Sequence, residues 1–370
     1  IVVRLLVPIG VSFFSFALVG YVFDVYRGKQ PAETNFIDFA VFASYFPSIM
    51  SGPINRAGTF LPQIRQRRKL HGETVKEGLF RFCLGIFKKL VIANQLGAMV
   101  DRAYADPVAF SSIVWWEIIL LYSVEIYLDF SAYSDMAIGI STMLGIRLKE
   151  NFSAPYLSTT IKGFWKKWHI SLTSWFRDYL YFPLGGSRRG RVRTWLNILI
   201  IFAVSGIWHG AGFTFLFWGL LNGLYQVLGD ITMPSRKKIL AALHISESNW
   251  LLSLVRGVVV FVLASFAWVL FRADSIDQAW FVIRRCLLVV RNGVTGYEPM
   301  LTYVSQRVVL ALGLLVCLWE DVRITRRTPA TLHRTTFRYL VVLAVLLAVT
   351  LLFGLYGAGF DAREFIYFQF

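Results

Sequence analysis

Cysteine is scarce in this chain, with three in 370 residues, and Cys83, Cys286 and Cys317 lie far apart without the spacing of metal ligands. They read as buried apolar thiols, and no metal site is expected. Acidic residues are also few, 22 against 38 Lys and Arg, for a formal net charge of +16. Nothing repeats at a fixed period, and no segment is of low complexity. No stretch alternates polar and apolar at every second residue, which argues against a membrane barrel. From Thr194 to Gly229 there is no Lys, Arg, Asp or Glu.

What is abundant is apolar sequence, at 56% of residues against the roughly 45–50% of soluble domains. It falls into runs near the roughly 20 residues that cross a hydrocarbon core. These runs predict spans at 2–23, 36–54, 79–100, 111–130, 131–146, 194–210, 211–229, 250–271, 300–319 and 337–357, with longer connections at 61–77 and 272–298. The expected fold is all-α, a polytopic transmembrane helical bundle forming a single domain over 1–370. The chain opens at Ile1 inside an apolar run, so N-terminal helices are read as missing. Basic clusters at Arg65–Lys69, Arg188–Arg193, Arg236–Lys238 and Arg323–Arg327 occupy connections. They suit topology and anionic headgroups of membrane lipids rather than nucleic acid, for which no motif is present. Because they fill most connections, orientation stays open.

Three regions break the alternation of apolar span and polar loop. Glu117, Glu125, Asp129 and Asp135 lie within apolar sequence, where carboxylates are costly and usually face a cavity or a partner. Glu125 and Asp129 are four apart and share a helix face. They serve either as structural ion pairs or as an acid that orients a catalytic histidine. Both Asp129 and Asp135 should line the interior, with a buried acid near Lys166, Lys167 or Arg177.

The second region predicts an amphipathic or re-entrant helix at 164–180. Phe164, Trp165, Trp168, Leu172, Trp175, Phe176 and Tyr179 fall on one side; Lys166, Lys167, Ser171, Ser174, Arg177 and Asp178 fall on the other. His169 sits at the edge of the aromatic side, where an interfacial histidine is the plain reading.

The third region is the charge-free stretch 194–229, too long for one straight crossing. It should break at Ser205-Gly-Ile-Trp-His-Gly-Ala-Gly212, where glycines favour a turn. That break carries Trp208 and His209. Irregular backbone at membrane depth is tolerated inside protein or beside a water-filled cavity, and a histidine there suits proton exchange. Two classes fit: an acyltransferase using His209 as general base, or a proton-coupled transporter or flippase. A transporter should carry a second broken segment in its other half, and none is visible.

The ordered blocks Tyr127-Leu-Asp-Phe-Ser-Ala-Tyr-Ser-Asp-Met-Ala-Ile-Gly139, Asn151-Phe-Ser-Ala-Pro-Tyr156, Phe164-Trp-Lys-Lys-Trp-His-Ile-Ser-Leu172, Trp175-Phe-Arg-Asp-Tyr-Leu-Tyr-Phe-Pro-Leu-Gly-Gly186 and Ser205–Gly212 resemble the membrane-bound O-acyltransferases. The similarity is to their bacterial branch, which acetylates alginate and other polysaccharides. Tyr21–Gly28 and Phe365–Phe370 resemble the family as well. The resemblance implies helices around a central funnel, with His209 and His169 as catalytic histidines. Asp129, Asp135, Trp165, Trp168, Arg177, Asp178, Tyr179 and Trp208 are the expected supporting or substrate-binding residues. It implies a multi-pass protein of the bacterial cytoplasmic (inner) membrane with no tightly bound cofactor. An acyl group, most often acetyl, would pass from a cytoplasmic thioester, acyl-CoA or an acylated carrier protein. The acceptor would be a glycan hydroxyl, through an extracytoplasmic acetyltransferase or polysaccharide-export partner. Lipid or protein O-acylation is the alternative within the enzyme class.

Overall fold

A computed structural model describes residues 10–67, 71–292, 304–325 and 336–356. Every regular element among them is helical. In chain order these are α1 (Val11–Tyr26), α2 (Phe36–Ala43), α3 (Ala57–Arg65), α4 (Gly72–Phe87), α5 (Asn94–Ala105), α6 (Ser112–Met143) and α7 (Ile161–Lys167). They continue as α8 (Ile170–Phe176), α9 (Arg191–His209), α10 (Phe213–Ala242), α11 (Trp250–Arg272), α12 (Ile276–Asn292), α13 (Val304–Thr325) and α14 (Thr336–Phe353). Among the described residues, three helical stretches are long and apolar enough to cross a membrane: Gly72–Ala105, Arg191–His209 and Trp250–Arg272. The first joins α4 to α5 through a π-helical segment, Lys88–Ala93.

Two antiparallel pairs form the frame. Gly78 of α4 lies against Gly139 of α6, and Gly85 against Ala132; a methyl on either glycine would strike a backbone carbonyl. Gly206 of α9 meets Phe215, and Gly219 of α10 meets Phe202, with the same consequence. Small residues let these backbones approach, as membrane helices do where burial of apolar surface offers little drive. The interior is aromatic, with Trp115, Trp168, Trp218, Trp268 and Phe271 almost wholly buried.

The long α6 replaces the two spans expected at 111–130 and 131–146. Two of its acids, Asp129 and Asp135, need no polar loop, because lysines of the π segment neutralise them inside the protein. The wider π turn brings two successive lysines inward: Lys88 Nζ is 2.7 Å from Asp135 and Lys89 Nζ is 2.5 Å from Asp129. Arg81 also reaches Asp135, at 3.0 Å, and Glu320 of α13 joins Lys88 at 3.1 Å. Burying such charges costs several kcal/mol per ion, offset only when each is paired. Asp129 and Asp135 are thus interior, but their cations are Lys89, Lys88 and Arg81, not the expected Lys166, Lys167 or Arg177.

Other boundaries differ from expectation. The apolar run 36–54 is helical only over α2, because Pro47, Gly52 and Pro53 disrupt its second half. Within 272–298, expected as a connection, lies α12, which buries Ala279, Val282 and Cys286 along one face. All three cysteines are buried. The part of the run expected at 2–23 that is described forms α1, while 2–9 and Phe365–Phe370 lie outside the described residues.

The contacts also sort the connections between two ends of the bundle. Residues 65–67, 71, 144–150, 186–193 and 236–248 gather at one end, which therefore holds Arg65, Arg67, Arg147, Lys149, Arg188, Arg189, Arg191, Arg193, Arg236, Lys237 and Lys238 beside Glu150 and Glu247. At the other end lie 106–111, 210–212 and 273–275, carrying Asp106 and Asp274 and no Lys or Arg. The ends of α5, α9 and α11 meet there: Arg272 bonds Asp101 at 2.7 Å, and the Phe271 ring lies 5.3 Å from His209.

Candidate active site

The amphipathic segment does not run as one helix over 164–180. It stops at Lys167, restarts at Ile170, and passes at Arg177–Tyr181 into a π turn. His169 occupies the joint with a left-handed backbone, φ 43°. A non-glycine residue there costs on the order of 1–3 kcal/mol and persists only when its surroundings hold it. The loop at 151–153 does so. Asn151 O accepts from Ile170 N at 2.9 Å, and Ser153 N donates to Lys167 O at 3.0 Å, taking up backbone groups freed by the break. The aromatic face survives: Phe164, Trp165, Trp168, Leu172, Phe176 and Tyr179 are all buried.

The same loop orients the His169 ring. Asn151 Oδ1 accepts from the backbone N–H of Ser171 at 3.3 Å and from its hydroxyl at 2.8 Å, which fixes the amide with its oxygen toward the histidine. His169 Nδ1 is 3.2 Å from that oxygen and therefore carries the proton, leaving the Nε2 lone pair in the neutral ring. Asn151 Nδ2 donates to Ser134 on α6, 3.2 Å away. The orienting group is thus an amide, and of the two roles open to the acids of α6, Asp129 and Asp135 take the ion pair. Asn151 opens one of the family-like sequence blocks, but among Asn, Phe, Ser and Ala nothing distinguished it as a site residue.

His209 is the last residue of α9, one turn beyond Ser205, and is held in an aromatic box. The rings of Trp208, Trp218 and Phe271 lie at 4.6, 5.0 and 5.3 Å. The expected break contracts to Gly210–Gly212, since α9 stays helical through His209. Phe130 stands edge-on to His169 at 4.7 Å, and Trp208 lies between the two histidines, 6.4 Å from the ring of His169. The indole N–H groups of Trp165, Trp208 and Trp218 are buried with no acceptor among the described residues.

His169 and His209 share a cavity of about 410 Å³. Lys162, Lys166, Arg177, Ser187 and Thr194 line it toward the basic end of the bundle; Trp165, Trp168, Ser205 and the histidines line it deeper in. A second cavity of about 450 Å³ is polar, lined by Arg81, Lys88, Asp135, Glu150, Glu320 and Asp321. Asn151 lines this second cavity and touches His169, which lines the first.

Of the residues expected at the site, the structure brings His169, His209, Trp165, Trp168 and Arg177 to one cavity and packs Trp208 beside both histidines. It places the others elsewhere. Asp129 pairs with Lys89, and Asp135 belongs to the polar cavity. Asp178 bonds Arg56 at 3.3 Å, and Tyr179 bonds Asp24 at 2.6 Å beneath the Arg56 guanidinium, 4.3 Å from the ring centre. These two brace the π turn against α1 and the loop before α3. Burial, together with the bond to Asp24, holds the Tyr179 hydroxyl above its ordinary pKa.

Residues 10–271, which include every group named in the histidine cavity, match the model of the membrane-bound O-acyltransferase family. The chain belongs to that family. A probable alginate O-acetylase of Pseudomonas aeruginosa is 39% identical over 280 residues, covering 76% of this chain and 51% of that protein. A peptidoglycan O-acetyltransferase of Helicobacter pylori is 32% identical, with 79% and 58% covered. A teichoic acid D-alanyltransferase of Bacillus subtilis is 24% identical, with 62% and 60% covered. The chain spans about half the length of the alginate relatives it matches. As a membrane-bound O-acyltransferase family member, it is a membrane protein, with bacterial relatives named for modifying glycans and teichoic acid.

Proposed function

We propose that this chain carries the acyl-transfer centre of a polysaccharide O-acyltransferase in the bacterial cytoplasmic (inner) membrane, which it crosses several times. The observation that carries this reading is the cavity leading from Lys162, Lys166 and Arg177 to both histidines. The positive-inside rule assigns the basic end to the cytoplasm. A thioester donor, acyl-CoA or an acylated carrier protein, enters there, with its phosphate groups against those cations and its acyl carbon near His209. His209 stands one residue from the 210–212 turn at the opposite end, where the acceptor approaches.

In the reaction, the acceptor oxygen attacks the thioester carbonyl carbon while its proton passes to His209. The C–S bond then breaks, and the departing sulfur takes the proton, so no net proton is consumed. General base catalysis of this kind contributes roughly 10²–10⁴-fold. His169, held by Asn151, positions donor or acceptor through its Nε2 lone pair. The acyl group is acetyl, and the acceptor is a hydroxyl of an exported glycan or of an extracytoplasmic partner that passes the group on. The relatives named for alginate and peptidoglycan O-acetylation favour this over transport and over lipid or protein O-acylation.

The test is thioester cleavage by the purified protein with its native partner and acceptor. Cleavage that disappears in His209→Ala supports the proposal. Proton-coupled flux of substrate without cleavage would replace it with a transporter.

A further inference from the structure

A third cavity, about 730 Å³, lies beside the histidine cavity and shares Lys162, Gln226 and Asp230 with it. It is a groove between α10 and α11, running from Leu252 to Leu263 along α11. At 1.5 Å per residue that run is about 16 Å, close to the roughly 15 Å of one leaflet's hydrocarbon. The length is apolar, with Leu228, Met233, Leu252, Val259, Val260 and Leu263 along it. Cations line the same groove: Lys162, Arg236 and Arg256, with Asp230 as the one acid beside them. Lys162 and Arg256 make no ion pair among the described residues, and Arg236 donates to the Gly229 carbonyl at 2.6 Å. Arg256 stands on the second turn of a helix apolar enough to cross a membrane, where an uncompensated charge is costly.

We propose that this groove is a binding site for an anionic glycerophospholipid of the leaflet at the basic end, its acyl chain along α11 and its phosphate between Arg256, Arg236 and Lys162. An apolar channel one leaflet deep with a net excess of two positive charges matches a phospholipid that lays one of its two acyl chains along the groove beneath an anionic phosphate head. A free phosphate would leave the apolar length unused, and a zwitterionic lipid would leave the cations without net compensation. Each cation near an anionic lipid surface is worth about 1 kcal/mol, so the three together give a preference on the order of 100-fold. Lys162 stands at the junction of the two cavities, and the lipid site is tested apart from the acyl-transfer reading through Arg236, Arg256 and Val259, which do not line the histidine cavity, with lipid binding as the readout.

The full chain, purified in detergent, is equilibrated with equal amounts of phosphatidylglycerol and phosphatidylcholine and examined by native mass spectrometry. One retained phosphatidylglycerol with strong preference over phosphatidylcholine is expected. The double variant Arg236→Gln/Arg256→Gln should weaken that retention roughly 25-fold. Val259→Trp, which fills the groove without altering charge, should also displace the lipid, so a failure of either variant to fold leaves the other as the test. Equal retention of the two lipids, or retention unchanged in a folded variant, overturns the proposal. So does displacement by millimolar inorganic phosphate, which would make the cations a phosphate site alone.

Discussion

Asn151→Ala tests whether the histidine joint is a positioned catalytic element or packing alone. The Asn151 side chain is wholly buried, and its oxygen serves His169 Nδ1–H, the Ser171 backbone N–H and the Ser171 hydroxyl. Truncation leaves the first two donors buried without an acceptor, whereas the hydroxyl can rotate to another. Each stranded donor costs about 1–3 kcal/mol, so destabilisation of roughly 2–6 kcal/mol is expected. The bond from Ile170 N to Asn151 O is backbone and survives, so the helix break itself should persist. Freed from the amide, the His169 ring loses its fixed tautomer, and acyl transfer should fall on the order of 100-fold. Asn151→Asp keeps an acceptor at Oδ1, and the Ser134 hydroxyl can reverse to donate to the other oxygen; it should retain more activity than Asn151→Leu, which has similar volume and no acceptor. The assay is thioester consumption with acceptor and native partner, alongside thermal unfolding in detergent. Native activity in Asn151→Ala, or equal activity in the Asp and Leu variants, would refute the positioning role.

The same geometry sets four further expectations. His209→Ala should abolish acylation while membrane expression and unfolding temperature stay near native; near-native acylation would remove it as the base. Lys88→Met strips a buried cation from Asp135 and Glu320 and should destabilise by about 3–5 kcal/mol, read by thermal unfolding; no loss would mean that Arg81 alone satisfies Asp135. Gly219→Ala, whose methyl would strike the Phe202 carbonyl, should part α9 from α10, displace His209 and reduce both stability and activity, while Gly229→Ala, which faces open space, should be near neutral in both assays. Arg56→Ala should cost about 1–2 kcal/mol by removing a partly buried ion pair and a cation–π contact from the π turn, seen as a lower unfolding temperature.

Much of this protein is set by local chemistry. Apolar runs near 20 residues made it a helical membrane protein, and the boundaries of α9 and α11 fell within a few residues of expectation because polar or glycine-rich sequence flanks them. The aromatic side of 164–180 was legible from its 3.6-residue period and stayed buried even though the helix breaks at His169. His209 stood out because a histidine beside glycines is rare in a charge-free stretch. Tertiary structure decided what depends on neighbours distant in the chain. The acids of α6 gave no sign of their partners, since Lys88 and Lys89 lie 47 and 40 residues from Asp135 and Asp129 and turn inward together only because a π segment widens the helix. The joint at His169 has no glycine or proline to announce it; the backbone of residues 151–153 holds it open from outside the helix. Orientation could not be read from basic connections scattered along the chain, because charge asymmetry appears only once the helices alternate and gather those connections at one end.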